Sequence, residues 1–111
     1  MLIMQTIQNF KVDDVEKKDN LLEVISDKYC RAIIETTKHQ PKSAIEITAE
    51  TKIPISTVYR RIQTLIDNKL LAITGSISDD GKKFFMYKTK ISGIKCSYND
   101  GQIDVELILN N

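Results

Sequence analysis

Residues 43–65 read SAIEITAETKIPISTVYRRIQTL, and the spacing within them predicts two short helices joined by a tight turn. Ser43, followed three residues later by Glu46, is a capping box, in which each side chain satisfies a backbone N–H at the helix start. It opens a helix to about Thr51, with Ile47 and Thr48 inward. Lys52-Ile53-Pro54-Ile55 makes the connection, and Ser56 is placed to cap the next helix, which runs to about Asn68. At ~100° per residue, Val58, Ile62, Leu65 and Ile66 share one face. Arg60 lies opposite, with Ser56, Gln63 and Thr64 near it and Tyr59 and Arg61 on the flanks.

Upstream, Leu21, Leu22, Val24 and Ile25 are apolar and close together. Ser26 is expected to cap a helix with Asp27 in its first turn. Cys30, Ile33, Ile34 and Thr37 then recur at helical spacing. Lys38 and His39 fall in the expected last turn, and Pro41 stops the helix. Residues 1–20 are expected to form an arm or short helix followed by a polar link. Downstream, Leu71 to Ser78 and Lys82 to Lys90 predict two strands around the turn Asp79-Asp80-Gly81. A second hairpin follows, with Ile94, Cys96 and Tyr98 alternating on one strand and Ile103, Val105, Leu107 and Leu109 on the other. Its turn, Asn99-Asp100-Gly101, suits a type I′ geometry.

The chain has 111 residues, 41% of them hydrophobic and 28% charged, which is the composition of a single folded domain. Its formal net charge is only +1, which by itself argues against a polyanion partner. The charge is uneven, however. Residues 52–90 carry eight basic and three acidic side chains, while residues 1–26 carry three and five and residues 91–111 one and three. A basic block of +5 therefore lies between acidic ends, and a local basic face matters more to a polyanion than the total. No apolar run approaches the roughly 20 residues that span a bilayer. Neither a membrane segment nor a secretory signal is expected, and the two cysteines are expected as free thiols in a cytoplasmic protein.

Three short helices followed by a β-hairpin with a basic, glycine-containing tip form a helix-turn-helix with a wing. The segment from Ile47 to Leu65 resembles prokaryotic winged-helix transcription regulators, in particular the ArsR-like regulators common in archaea. Ser56-Thr57-Val58-Tyr59-Arg60-Arg61-Ile62 looks like the start of their recognition helix, and Leu65-Ile66-Asp67-Asn68-Lys69-Leu70-Leu71 like its end leading into the wing. The likeness covers residues 21–90. The expected fold is therefore α+β: a three-helix bundle plus a β-hairpin wing over 21–90, an N-terminal arm over 1–20 and an extra C-terminal β-hairpin over 91–111. Two departures stand out. Lys52 occupies the turn position where the family often has glycine, and the metal-sensing cysteine pair of some members is absent.

The resemblance implies a sequence-specific regulator that binds double-stranded DNA. Arg60 becomes the residue for a base edge, because a guanidinium can bond two guanine acceptors at once. Gln63 and Thr64 lie along the same face. Ser56 and Thr57, with Ser43 at the preceding helix start, would bond phosphates through hydroxyls and backbone N–H groups. Tyr59 and Arg61 would touch backbone from the flanks, and Lys82 and Lys83 on the wing would meet phosphates or an adjacent groove. Taken singly, each residue also has an ordinary place. Arginines are solvated charges on amphipathic helices, lysines at hairpin tips serve solubility, and Ser43 and Ser56 are caps first. Phe84, Phe85, Met86 and Tyr87 read as sheet packing.

Neither phosphate-binding glycine patterns nor metal-ligand spacings occur. With His39 as the one histidine, no enzyme, cofactor or metal site is expected. A homodimer is expected, since one recognition helix reads few base pairs and operators mirror two-fold symmetry. Its interface is expected on the arm or on the apolar alternation from Ile103 to Leu109. The rival reading is a winged-helix protein-interaction module, which would expose apolar residues on the third helix.

Overall fold

The computed structural model describes residues 9–110. It is an α+β chain in the order β1 (Asn9–Val12), α1 (Val15–Ser26), α2 (Lys28–Thr36), α3 (Ala44–Thr51), α4 (Ile55–Asp67), β2 (Leu71–Ile77), β3 (Lys83–Thr89), β4 (Ile91–Asn99) and β5 (Gln102–Leu109). Every strand pairing between these elements is antiparallel: β1-β5-β4 form one sheet and β2-β3 a two-stranded ribbon.

Among the described residues there are four helices where three are expected. The apolar group at 21–25 belongs to a helix of its own, α1, started by Asp14, whose carboxylate accepts from Lys17 N–H at 3.2 Å. Leu21 and Val24 of α1 are buried. The break into α2 falls at Asp27, not Ser26. Asp27 is extended and its carboxylate accepts from Tyr29 N–H at 2.9 Å, while Ser26 turns its hydroxyl back onto Glu23 O. The stronger cap is the one that brings negative charge to the new helix start. At the far end, α2 stops at Thr36, so Lys38 and His39 lie beyond it.

The part of the expected arm that is described is β1 and the start of α1; residues 1–8 lie outside the described residues. The polar link expected there is thus replaced by a strand and a capped helix. β1 pairs with β5 of its own chain, placing Val12 beside Val105.

α2 packs against α1, α3 and α4, and α3 also against α4. Ile33, Ile47, Val58, Leu65 and Leu70 meet in a core that excludes water completely, joined by Val105 from β5. Ile103 and Leu107 pack against the same core. The apolar alternation expected to serve a dimer is therefore largely spent within the chain. The turn at Asp100-Gly101 has two residues with positive φ, 52° and 78°, joining Asn99 to Gln102, as a type I′ hairpin requires. Cys96 stands opposite Val105 in the register but is exposed, a correction to the inward place that its alternation with Ile94 predicts.

The β2–β3 ribbon is rooted at one end only. Leu71 and Thr89 are a buried pair at its base. Thr89 Oγ1 bonds Thr37 Oγ1 at 2.8 Å and donates to Ile34 O at 3.1 Å, so both buried hydroxyls have partners. Lys42 exchanges two backbone hydrogen bonds with Tyr87, tying the loop before α3 to β3. Beyond these contacts the ribbon runs out to the turn around Asp79 and Gly81, where Ile73, Ile77 and Phe85 are exposed. No helix among the described residues is long and apolar enough to cross a membrane.

Candidate nucleic-acid interface

The turn between α3 and α4 sets the presentation of α4. Lys52 adopts the left-handed conformation, φ 63° and ψ 16°, and its N–H closes onto Thr48 O at 2.9 Å. This is the helix-ending geometry that glycine usually supplies, so the turn keeps its shape although a lysine stands there. Ile53 is buried and anchors the connection, and Pro54 starts α4. α4 then buries Val58, Ile62 and Leu65. By helical geometry the opposite side carries Ser56, Tyr59, Arg60 and Gln63 at i, i+3, i+4 and i+7, all exposed. Thr57 and Thr64 border this strip, half-buried.

The two helix starts differ. At α3 both halves of the capping box form: Glu46 N–H donates to Ser43 Oγ at 3.2 Å, and Ser43 N–H donates to Glu46 Oε1 at 3.0 Å. A carboxylate already occupies that positive end, which leaves Ser43 to capping and disfavours a phosphate there. At α4 no side chain caps the helix. Ser56, expected as the cap, lies inside the first turn, because Pro54 fixes the N-cap position. The first internal backbone bond comes from Val58 N–H to Pro54 O.

The predicted residues separate on inspection. Arg60 is exposed, and its carbonyl accepts the Thr64 hydroxyl at 3.2 Å. Gln63 donates its amide to Asp67 at 2.8 Å, leaning toward the end of the helix. Arg61 departs from its expected role. It turns toward α2, ion-paired with the Asp27 carboxylate and set 5.7 Å from the centre of the Tyr29 ring. Part-burial of Asp27 opposes its ionisation, but the Tyr29 N–H and the Arg61 charge together hold its carboxyl below the usual range. Withdrawing Arg61 to a phosphate would leave that carboxylate without its cation. No local spacing signals this pair, since its members lie on different helices.

Lys82 and Lys83 are exposed at the ribbon's outer end, with Lys83 Nζ 5.6 Å from the centre of the Phe85 ring. Asp79 and Asp80 share that end, so the tip is balanced in charge rather than basic. Asp80 belongs to the turn itself, bonded by the Ser78 hydroxyl and the Lys82 N–H, which hold its carboxyl low. Tyr87 of β3 is buried, and burial first, then the charge of Tyr59, raises its phenol. The expected residues thus form four groups: Ser43 in the α3 cap, the α4 strip with Thr57 and Thr64 at its border, the ribbon end, and Arg61, which pairs internally with Asp27. The exposed apolar residues Ile45, Ile55, Ile73, Ile77 and Phe85 are a feature of the same half that alternation does not reveal. Lys52 is also exposed beside the α4 start, at a left-handed turn position that glycine usually takes.

Compared with known proteins, the chain matches no family model, and no curated protein matches it.

Proposed function

We propose that the chain is a winged helix-turn-helix regulator of transcription that binds double-stranded DNA, with α4 in the major groove and the β2–β3 ribbon as its wing. The observation that carries this reading is the division of α4: three side chains buried on one side, and Ser56, Tyr59, Arg60 and Gln63 exposed on the other. An α-helix fits the major groove, and Arg60 offers the fork that bonds guanine. The uncapped start of α4 presents backbone N–H groups and hydroxyls to a phosphate, with Lys52 beside them. The +5 block over residues 52–90 and the ArsR-like resemblance of residues 21–90 support the same reading. Arg61, Asp27 and Tyr29 act behind the interface by fixing α4 on α2.

The test is fluorescence anisotropy with a mixed-sequence duplex across a salt series. Affinity should fall steeply with salt as counterions are released. Arg60→Ala should weaken binding by about 1–3 kcal/mol on a selected site. Unchanged affinity in that variant would remove Arg60 from the interface. Two copies would match a two-fold operator. Among the described residues, Phe10, Val15 and Tyr98, exposed on the elements β1, α1 and β4, offer apolar surface to join them. Light scattering at micromolar concentration tests this, and a monomeric mass counts against it.

One observation favours a second reading, a winged-helix module that docks on protein. Among the described residues, Ile45, Ile55 and Tyr59 on α3 and α4, with Ile73, Ile77 and Phe85 on the ribbon, are most of the exposed large apolar side chains. Binding to duplex DNA that fails at low salt as well as high would favour that reading.

A further inference from the structure

The sheet β1-β5-β4 ends on two edges of unequal length, Asn9–Val12 on one side and Ile91–Asn99 on the other. Among the described residues, β4 pairs with β5 alone. The backbone groups on its outer side follow from the ladder. Asp100 and Gly101 form a two-residue turn, so Asn99 and Gln102 exchange their backbone bonds, and the residues of β4 that bond β5 alternate from there. At the far end Asn110 N–H donates to Lys90 O at 2.8 Å, in the same phase along β5. Lys95, Ser97 and Asn99 therefore turn their N–H and C=O groups to β5. Ile94, Cys96 and Tyr98 aim theirs outward.

That outer edge is weakly protected. Proline, lysine or a bulge commonly keeps an edge strand from pairing with another chain. The bulge of β4 lies at its root, between Ile91 and Gly93. From Gly93 to Asn99 there is no proline and one lysine, Lys95, which stands beside Glu106 of β5. Cys96 and Tyr98 are exposed, Tyr98 to 72%. With Ile94 they continue the sheet face on which Ile103, Val105 and Leu107 meet the core.

The stretch is also complementary to itself. Its midpoint is Cys96. Antiparallel pairing about a two-fold axis matches outward-facing residues with outward-facing residues, and an axis at Cys96 engages the whole of Gly93–Asn99. Ile94 then meets the partner's Tyr98, Lys95 the partner's Ser97, and Gly93 the partner's Asn99. An axis at Lys95 would oppose two lysines, which is unfavourable. An axis at Ile94, Ser97 or Tyr98 shortens the overlap.

We propose that the chain dimerises by pairing β4 with β4 of a second copy about Cys96, which joins two three-stranded sheets into one. The outward N–H and C=O groups of Ile94, Cys96 and Tyr98 gain partners, and each Ile94 gains an aromatic neighbour across the strands. Both long edges are consumed, so the assembly closes at two copies. This inference rests on the homodimer of the reading above and gives it an interface; it does not depend on DNA binding.

The test uses the full chain. Light scattering at micromolar concentration should give a dimer. Paired at the axis, the two Cys96 α-carbons lie about 5.5 Å apart, within reach of a disulfide, so copper–phenanthroline should link the parent through Cys96. Asn99→Cys in a Cys96→Ser background should link poorly, because the register sets those thiols roughly 20 Å apart. Cys96→Lys and Cys96→Glu each oppose like charges at the axis and should raise the dimer dissociation constant about five-fold or more. Mixing the two variants should restore dimers containing one of each. Because Cys96 is exposed, circular dichroism should show both variants folded like the parent. A monomeric parent overturns the inference and the homodimer together. A dimer that withstands both charged variants, or that links through Asn99→Cys as readily as through Cys96, overturns the β4 pairing and leaves the homodimer to another surface. Charged variants that dissociate but fail to recombine overturn it too. Duplex binding through Arg60, measured separately, decides the regulator reading in each case.

Discussion

β2–β3 and β4–β5 are both antiparallel ribbons, each with a positive-φ glycine in its turn, Gly81 in the first and Gly101 in the second. They end in opposite situations. β4–β5 gains a third strand, β1, and lays Ile103, Val105 and Leu107 on the helical core. β2–β3 stays two-stranded and buries only its root, so that Ile73, Ile77 and Phe85 face outward. Alternation assigns side chains to the two faces of a ribbon. Whether anything lies on a face depends on what the rest of the chain brings there. The difference identifies the β2–β3 ribbon as the element with surface to spare.

The largest expected effect comes from the packed side of this comparison. Val105 is completely buried, so Val105→Ala should cost about 2 kcal/mol through lost burial and an unfilled cavity. Ile77→Ala at the exposed end of the other ribbon should stay within roughly 0.5 kcal/mol. Denaturant midpoints of the two variants measure the contrast directly, and equal losses would break it. The turns give a finer version. Gly101→Ala should cost roughly 1–2 kcal/mol, because φ is +78° and the strands it joins carry core residues. Gly81→Ala meets the same strain at φ +82°. Its cost should appear as faster amide exchange confined to β2 and β3, with little change in the global midpoint.

Features set by neighbours in sequence were legible without coordinates. The capping box of Ser43 and Glu46, the Asp100-Gly101 turn and the buried face of α4 all follow from residues a few positions apart. The boundary between α1 and α2 was less so, because Ser26 and Asp27 are adjacent and both able to cap. Which one starts the helix depends on where the following chain must turn. Long-range pairing was not legible at all. Arg61 reads as a surface cation until Asp27 and Tyr29 are placed beside it. The inward use of Ile103 and Leu107 likewise becomes visible only once β5 lies on the core. Of the candidate site, the α4 strip was readable, whereas the charge-balanced tip and the exposed apolar residues beside it needed the fold.

A smaller effect tests how the free ribbon is rooted. Thr89 is the buried end of β3, and its hydroxyl joins Thr37 and Ile34 O. Thr89→Val keeps the shape and removes these bonds. Thr37 can then donate its one proton to Ile33 O at 2.8 Å, so no hydroxyl is orphaned and the loss should be about 1 kcal/mol. The loss should come with increased exchange of the β2–β3 amides while those of β4–β5 hold, which two-dimensional NMR can follow. Equal loosening of both ribbons would show that they share one root.

The smallest effect on stability, essentially none, is expected from modifying Cys96, and the contrast with Cys30 sharpens the comparison at the second sheet. Cys96 faces the same side as Val105 but lies exposed. Cys30 is buried, and burial, helped by the adjacent Asp27 carboxylate that accepts its S–H, pushes the thiol up to about 12. Reactivity follows the thiolate. At pH 8 a maleimide should therefore label Cys96 quickly and leave Cys30 untouched until the chain unfolds. Since the folded value of Cys30 exceeds its unfolded one, its contribution to stability is whole below the ordinary thiol range and declines as pH rises toward 12. Labelling of Cys30 in the folded chain should accordingly accelerate as pH rises toward 12. Equal rates for the two thiols at pH 8 would mean that the α1–α2 junction opens as readily as the sheet edge.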